Sequence, residues 1–176
     1  LRGPFGGLLR SHFGFDSCLR LLGGRWRHFS LEAMTDVDAF FVRYEQSANS
    51  FDPDPVASLY TDPFMGGDPN GVAVLSVAQF RAALPARREF MQGIGFRFAK
   101  MLDVAATPLD KRYPTAKVHW HLRFEKTRGQ PQDFRFFITY FLFDAGTGPK
   151  VAFYISHEDE QKVMREAGLL PADEKS

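Results

Sequence analysis

Several side chains in this sequence have types and spacings that chemistry could use. His119 and His121 stand two residues apart in an alternating run, which on a strand puts both imidazoles on one face, as a pair of metal ligands would be. No third ligand accompanies them, and the same face carries Lys117, Arg123 and Glu125, so the pattern reads as a solvated or subunit-facing surface and no metal site is expected. His157 precedes Glu158 and Asp159, where an imidazole beside carboxylates can act as a base or sensor, or simply serve a helix start. Asp68 lies within Gly-Asp-Pro-Asn-Gly, which is turn chemistry in its own right, and Asp62 before Pro63 reads as a cap or strand-end residue. Tyr44 sits on an apolar helical stripe, and Thr139 within an apolar run is a β-former with a hydroxyl to donate. Cys18 is the single cysteine, which excludes an internal disulfide and fits a reducing, cytoplasmic setting.

The elements that must position these groups follow from hydrophobic period. Thr35 or Asp36 can cap a helix to about Ser47, with Val37, Phe40, Phe41 and Tyr44 at three-to-four spacing. Asp52-Pro53 starts a second, short helix through Val56 and Leu59. Residues 62–65 read as a short strand, 66–71 as a tight loop and 72–75 as the strand's partner. Ser76 and Gln79 form a capping box for a third helix ending near Gly93, with a kink expected at Pro85. From Gly95 the period becomes two, and residues 96–104, 117–126, 134–143 and 150–157 form an antiparallel meander. The run 134–143 is apolar on both faces and needs two covers, the helices on one side and a second subunit on the other. A last amphipathic helix spans 159–168.

Composition sets the limits around this pattern. A chain of 176 residues with 44% apolar content suits one domain with a real core, and no run is long and apolar enough to be a membrane helix. Residues 1–33 carry a net charge of +3 and the remainder −2, so the basic character belongs to the leader and gives no case for nucleic-acid binding. That leader, Arg-rich and without clean period, is expected outside the fold as a transit-type segment or an upstream extension, with Met34 a natural start. The domain is then 34–171, followed by a polar tail, 172–176.

Helices first and a bent meander after is the element order of the nuclear transport factor 2-like superfamily, and residues 40–64, FFVRYEQSANSFDPDPVASLYTDPF, resemble the opening of its SnoaL-like members. The resemblance implies an α+β fold, a cone-shaped barrel of strongly curved antiparallel sheet whose three N-terminal helices enclose an apolar pocket. Arg43-Tyr44, Leu59-Tyr60-Thr61-Asp62 and Gly67-Asp68-Pro69 also fall at the mutual spacings of similar motifs in ketosteroid isomerase. That similarity implies Tyr44 as oxyanion donor, Asp68 as general base and, where the isomerase has an aspartic acid, Thr139 as assisting donor. It further implies a pocket walled by Trp120, Phe124, Phe137, Phe141 and Tyr154, a hydrophobic small-molecule ligand and no cofactor, while the two apolar faces of 134–143 lead to the expectation of a homodimer. Three functions stay open on these grounds: a non-catalytic ligand-binding or dimeric scaffold protein; a cofactor-free isomerase, dehydratase or hydrolase; or a partner-binding module.

Overall fold

The computed structural model describes residues 26–171, with side chains from residue 36 onward; the expectations for residues 1–25 and for the tail 172–176 lie outside the described residues. The first helix, α1, spans Trp26–Ser50 and so begins upstream of the cap read at Thr35 or Asp36. Nothing between residues 26 and 50 breaks a helix, since the stretch has neither glycine nor proline. Its buried stripe is the expected one: Val37, Phe40 and Phe41 are almost fully inaccessible.

Helix α2, Pro53–Ser58, is capped by Asp52, whose side chain accepts from the Asp54 N–H at 3.3 Å. Helix α3, Val77–Gly93, opens with the reciprocal Ser76–Gln79 box and continues through Pro85. Between them lies a hairpin longer than its glycines suggest. Strand β1, Tyr60–Asp68, and strand β2, Gly71–Leu75, pair antiparallel as far as Asp68 with Gly71, leaving Pro69 and Asn70 as the turn. The glycines belong to the strand because neighbours crowd it: a Cβ on Gly66 would lie 2.7 Å from the Tyr154 ring.

Strands β3 (Phe96–Pro108), β4 (Pro114–Thr127), β5 (Gln130–Asp144) and β6 (Pro149–Ser156) form the expected meander. The sheet order is β2-β1-β6-β5-β4-β3, with β1 joining β6 in parallel, so one pairing departs from the antiparallel rule. The sheet is open, with β2 and β3 at its edges, rather than a closed barrel. Register shifts in β3 and near the end of β4 introduce the bulges by which a sheet bends.

Helix α1 covers one of those edges chemically as well as sterically. Asn49 accepts from the Ala99 N–H at 2.9 Å and donates to the Ala99 carbonyl at 2.7 Å, while the Glu45 carboxylate accepts from the Met101 N–H at 2.6 Å. Two side chains one helical turn apart thus bond backbone groups that an edge strand would otherwise present to water. Most of the core lies between α1–α3 and the inner faces of β4–β6, where Val118, Trp120, Tyr140, Leu142 and Val151 are buried. A second cluster gathers Phe124, Phe134 and Phe136 against Met164 of helix α4, Glu160–Glu166.

Candidate ligand pocket

Between the helices and the inner face of the sheet lies a cavity of about 970 Å³, at the upper end of the size range of small-molecule sites. Val56, Leu59, Phe80, Leu84 and Ile138 give it apolar wall, and its polar end is formed by the β1–β2 turn and the start of α4.

The inner wall carries a chain of hydroxyls. Tyr44 Oη and Tyr60 Oη are 2.5 Å apart, the Trp120 Nε1–H donates to Tyr140 Oη at 3.1 Å, and the Tyr44 and Tyr140 rings meet edge-on with centroids 5.3 Å apart. Burial first, and neighbouring tyrosines second, push all three phenols well above their ordinary range, so they remain protonated donors near neutral pH. Tyr44, Tyr60 and Tyr140 bring one hydrogen each and Trp120 a fourth, whereas the contacts Trp120–Tyr140 and Tyr44–Tyr60 use two. Hydroxyl hydrogen beyond those two contacts can therefore meet an oxygen entering the cavity.

Of the residues singled out in the sequence, Tyr44, Asp68, Trp120 and Tyr154 line this cavity. Asp68 is exposed, and its Oδ1 accepts from the N–H groups of Asn70 and Gly71 at 2.7 and 3.1 Å, within its own turn. Thr139, Phe137 and Phe141 lie on the opposite face of the sheet. The register gives the reason: Trp120 pairs with Phe136 and His119 with Phe137, and cross-strand partners share a face, so odd-numbered residues of β5 point away from the helices. Thr139 Oγ1 is 2.8 Å from His157 Nε2, Phe137 stacks on His119, and Phe141 stacks on Phe153. Phe124 faces inward but is fully buried in the second core cluster. Asp62 ties the hairpin to α3 by accepting from the Val77 N–H at 3.2 Å. His121 meets Asp133 at 2.7 Å, and among the described residues no group of three or more His, Cys, Asp or Glu is placed to hold a metal.

The sequence reading missed Glu160, which lines the cavity together with Arg87 and Ser156. Its Oε1 lies 3.0 Å from Ser156 Oγ, and burial raises its carboxyl above the ordinary range. A signal was present in the spacing, since Glu160 is one helical turn from Met164, the buried residue of α4.

A bent sheet backed by three helices, with a cavity lined from both, defines an NTF2-like, cystatin-like fold. The chain belongs to the family described as NTF2-like protein (DUF6841), which it matches over residues 33–159. Among solved structures it is similar to an NTF2-like protein with a cystatin-like fold from Novosphingobium aromaticivorans, with 16% identity, TM-score 0.63, and coverage of 83% of this chain and 94% of that one. It is also similar to an NTF-2 like protein of unknown function from Shewanella oneidensis (12%, TM-score 0.58, 71% and 98%). A third is a ketosteroid isomerase-like protein from Erwinia carotovora atroseptica (16%, TM-score 0.56, 74% and 98%). At such identities these likenesses concern the fold. A comparison with curated protein sequences gives no match.

Proposed function

We propose that this protein binds a small, largely apolar molecule carrying a carbonyl or hydroxyl oxygen. The observation that supports this reading best is the spare hydroxyl hydrogen among Tyr44, Tyr60 and Tyr140, on the same cavity wall as Val56, Leu59, Phe80 and Ile138. An apolar body gains by leaving water, and a donor in low-dielectric surroundings selects the ligand that brings an acceptor. Calorimetric titration with benzophenone and with diphenylmethane, which differ at the carbonyl alone, tests it: the ketone should bind about tenfold tighter, worth about 1.4 kcal/mol. Equal affinities, or no binding of either, would remove the reading.

A second reading is cofactor-free isomerase, dehydratase or hydrolase chemistry, with Asp68 as base and Tyr44 as oxyanion donor. It draws support from the fact that both residues line one cavity. With an activated ketone or lactone probe, Asp68→Asn should then lower turnover by at least about 10²-fold. Unchanged turnover would leave Asp68 as a turn residue. We further propose that a second copy of the chain covers the outer face of the sheet around Phe137, and that the protein is cytoplasmic, in keeping with its single cysteine.

A further inference from the structure

The tyrosines of the cavity wall fall into two groups. Tyr140 of β5 meets Trp120 of β4 through its hydroxyl, whereas the Tyr154 ring of β6 lies across Gly66 of β1, its partner in the parallel register. A Cβ on Gly66 would lie 2.7 Å from the Tyr154 hydroxyl oxygen, so only a residue without a side chain leaves the phenol this place. Strands β4 and β1 are three spacings apart in the sheet, roughly 14 Å, and the wall therefore offers hydroxyls towards both ends of that span.

Tyr154 also differs in its hydrogen bonds. Tyr44, Tyr60 and Tyr140 each have a polar partner in the protein, but among the described residues the hydroxyl of half-buried Tyr154 has none. Since no side-chain polar atom of the described residues is fully buried without a partner, that hydroxyl reaches open space. Arg87 of α3 lines the same cavity, and among the described residues its guanidinium makes no hydrogen bond either, acting on Tyr154 and Glu160 by its charge alone. The acceptors at this end are already served. Asp68 accepts from its own turn, Asp159 from Asn70 Nδ2 and the Lys162 N–H, Glu158 from the Phe137 N–H, and Glu160 from the Ser156 hydroxyl. Each carboxylate has a donor, while Tyr154 and Arg87 have hydrogens and no protein acceptor.

We propose that Tyr154 and Arg87 form a second oxygen-binding station, so that the cavity takes an elongated, uncharged molecule with an oxygen at each end, one at the Tyr44, Tyr60 and Tyr140 hydroxyls and the other accepting from Tyr154 and Arg87. The inference rests on the pocket reading above for the first oxygen and deepens it. Charge decides the nature of the second. Asp68, Glu158, Asp159 and Glu160 bring four carboxylates to the cavity against the two guanidinium groups of Arg87 and Arg165, so an anionic ligand would add to an excess of its own sign. A neutral carbonyl or hydroxyl oxygen uses the same hydrogens without that cost.

Calorimetric titration with biphenyl bearing an acetyl group at one para position, or at both, reads the second oxygen on one apolar body. The diketone should bind the parent about tenfold tighter than the monoketone, beyond the statistical doubling that its equivalent ends supply. Tyr154→Phe and Arg87→Met should each bring the ratio of the two affinities down towards that doubling. General damage to the cavity would weaken both ligands and leave the ratio where it was. A diketone no tighter than the doubling allows, or one ratio shared by the parent and both variants, would overturn the second station while leaving the first in place. Tighter binding of the analogue with a carboxylate in place of one acetyl group would overturn the uncharged character of the ligand. If neither ketone binds, the pocket reading falls and this inference with it.

Discussion

The Tyr44 and Tyr60 hydroxyls lie 2.5 Å apart although 16 residues separate them in sequence, which joins α1 to the start of β1 at the cavity wall. Neither phenol could be buried at that cost without a partner, and each supplies the other's. Tyr44→Phe leaves the buried Tyr60 hydroxyl without that partner, which should cost about 1–3 kcal/mol of stability, and should weaken benzophenone binding about tenfold. Tyr140→Phe should differ at the ligand. It leaves the buried Trp120 Nε1–H without its acceptor, again costing about 1–3 kcal/mol of stability, but with a smaller effect on the ketone. Urea unfolding and calorimetric titration of both variants check this; equal losses of ketone affinity in the two would remove the distinction.

Gly95 sets the turn from α3 into β3. Its φ is +82°, and a Cβ there would lie 2.5 Å from backbone atoms of Glu125 and Lys126, whose strand it bonds through the Glu125 N–H to Gly95 carbonyl contact of 2.7 Å. Backbone cannot swing aside as a side chain can. Gly95→Ala should therefore lose about 1–3 kcal/mol from the left-handed conformation alone, and more from the clash. A urea midpoint within error of the parent's would contradict the assignment.

Asp133 on the outer face accepts two hydrogen bonds from Arg123, at 2.7 and 2.8 Å, and approaches His121 Nε2 at 2.7 Å. Arg123 first and His121 second hold its carboxyl well below the usual carboxylate range. A carboxyl whose pKa is depressed by folding stabilises the native state above the unfolded value of about 3.9 and loses that contribution as the pH falls through the folded one. Asp133→Asn should therefore melt below the parent at neutral pH, with the gap closing in acid. Melting curves that stay parallel across that range would show that the pair contributes nothing.

The distribution of these features explains what could be read without coordinates. The stripe of Val37, Phe40 and Phe41, the Ser76–Gln79 box and the alternation in β4 are local and periodic, and a local pattern carries its own geometry. The open sheet edge and the parallel β1–β6 pairing depend on which strands meet, which no single segment encodes. The site suffered most from register. Run 134–143 is apolar on both faces, so hydrophobicity could not say whether Phe136 or Phe137 joins Trp120 on the inner side; only the pairing with β4 decides it. Glu160 was hidden for another reason: a charged residue in the first turn of a short helix reads as dipole compensation, and its contact with Ser156 at the end of β6 is a matter of how strand and helix meet.

Phe137 gives the homodimer proposal its sharpest test. It is 36% exposed on the outer face, stacked on His119 with ring centroids 4.3 Å apart and overlain by Lys117, whose Nζ is 4.7 Å from the ring centre. The Phe141–Phe153 stack lies on the same face, so the apolar area continues beyond one ring. A two-fold contact would use this surface on both chains, and burying each phenylalanine would contribute about 1.5–3 kcal/mol per copy. Phe137→Asp replaces that gain with two desolvated charges related by the axis, while on an isolated chain it alters a partly wet surface and leaves the core untouched. In sedimentation velocity at micromolar concentration the parent should therefore run as twice the 20.0 kDa chain and the variant as a single chain. A parent sedimenting at 20.0 kDa under those conditions would remove the second copy from this face.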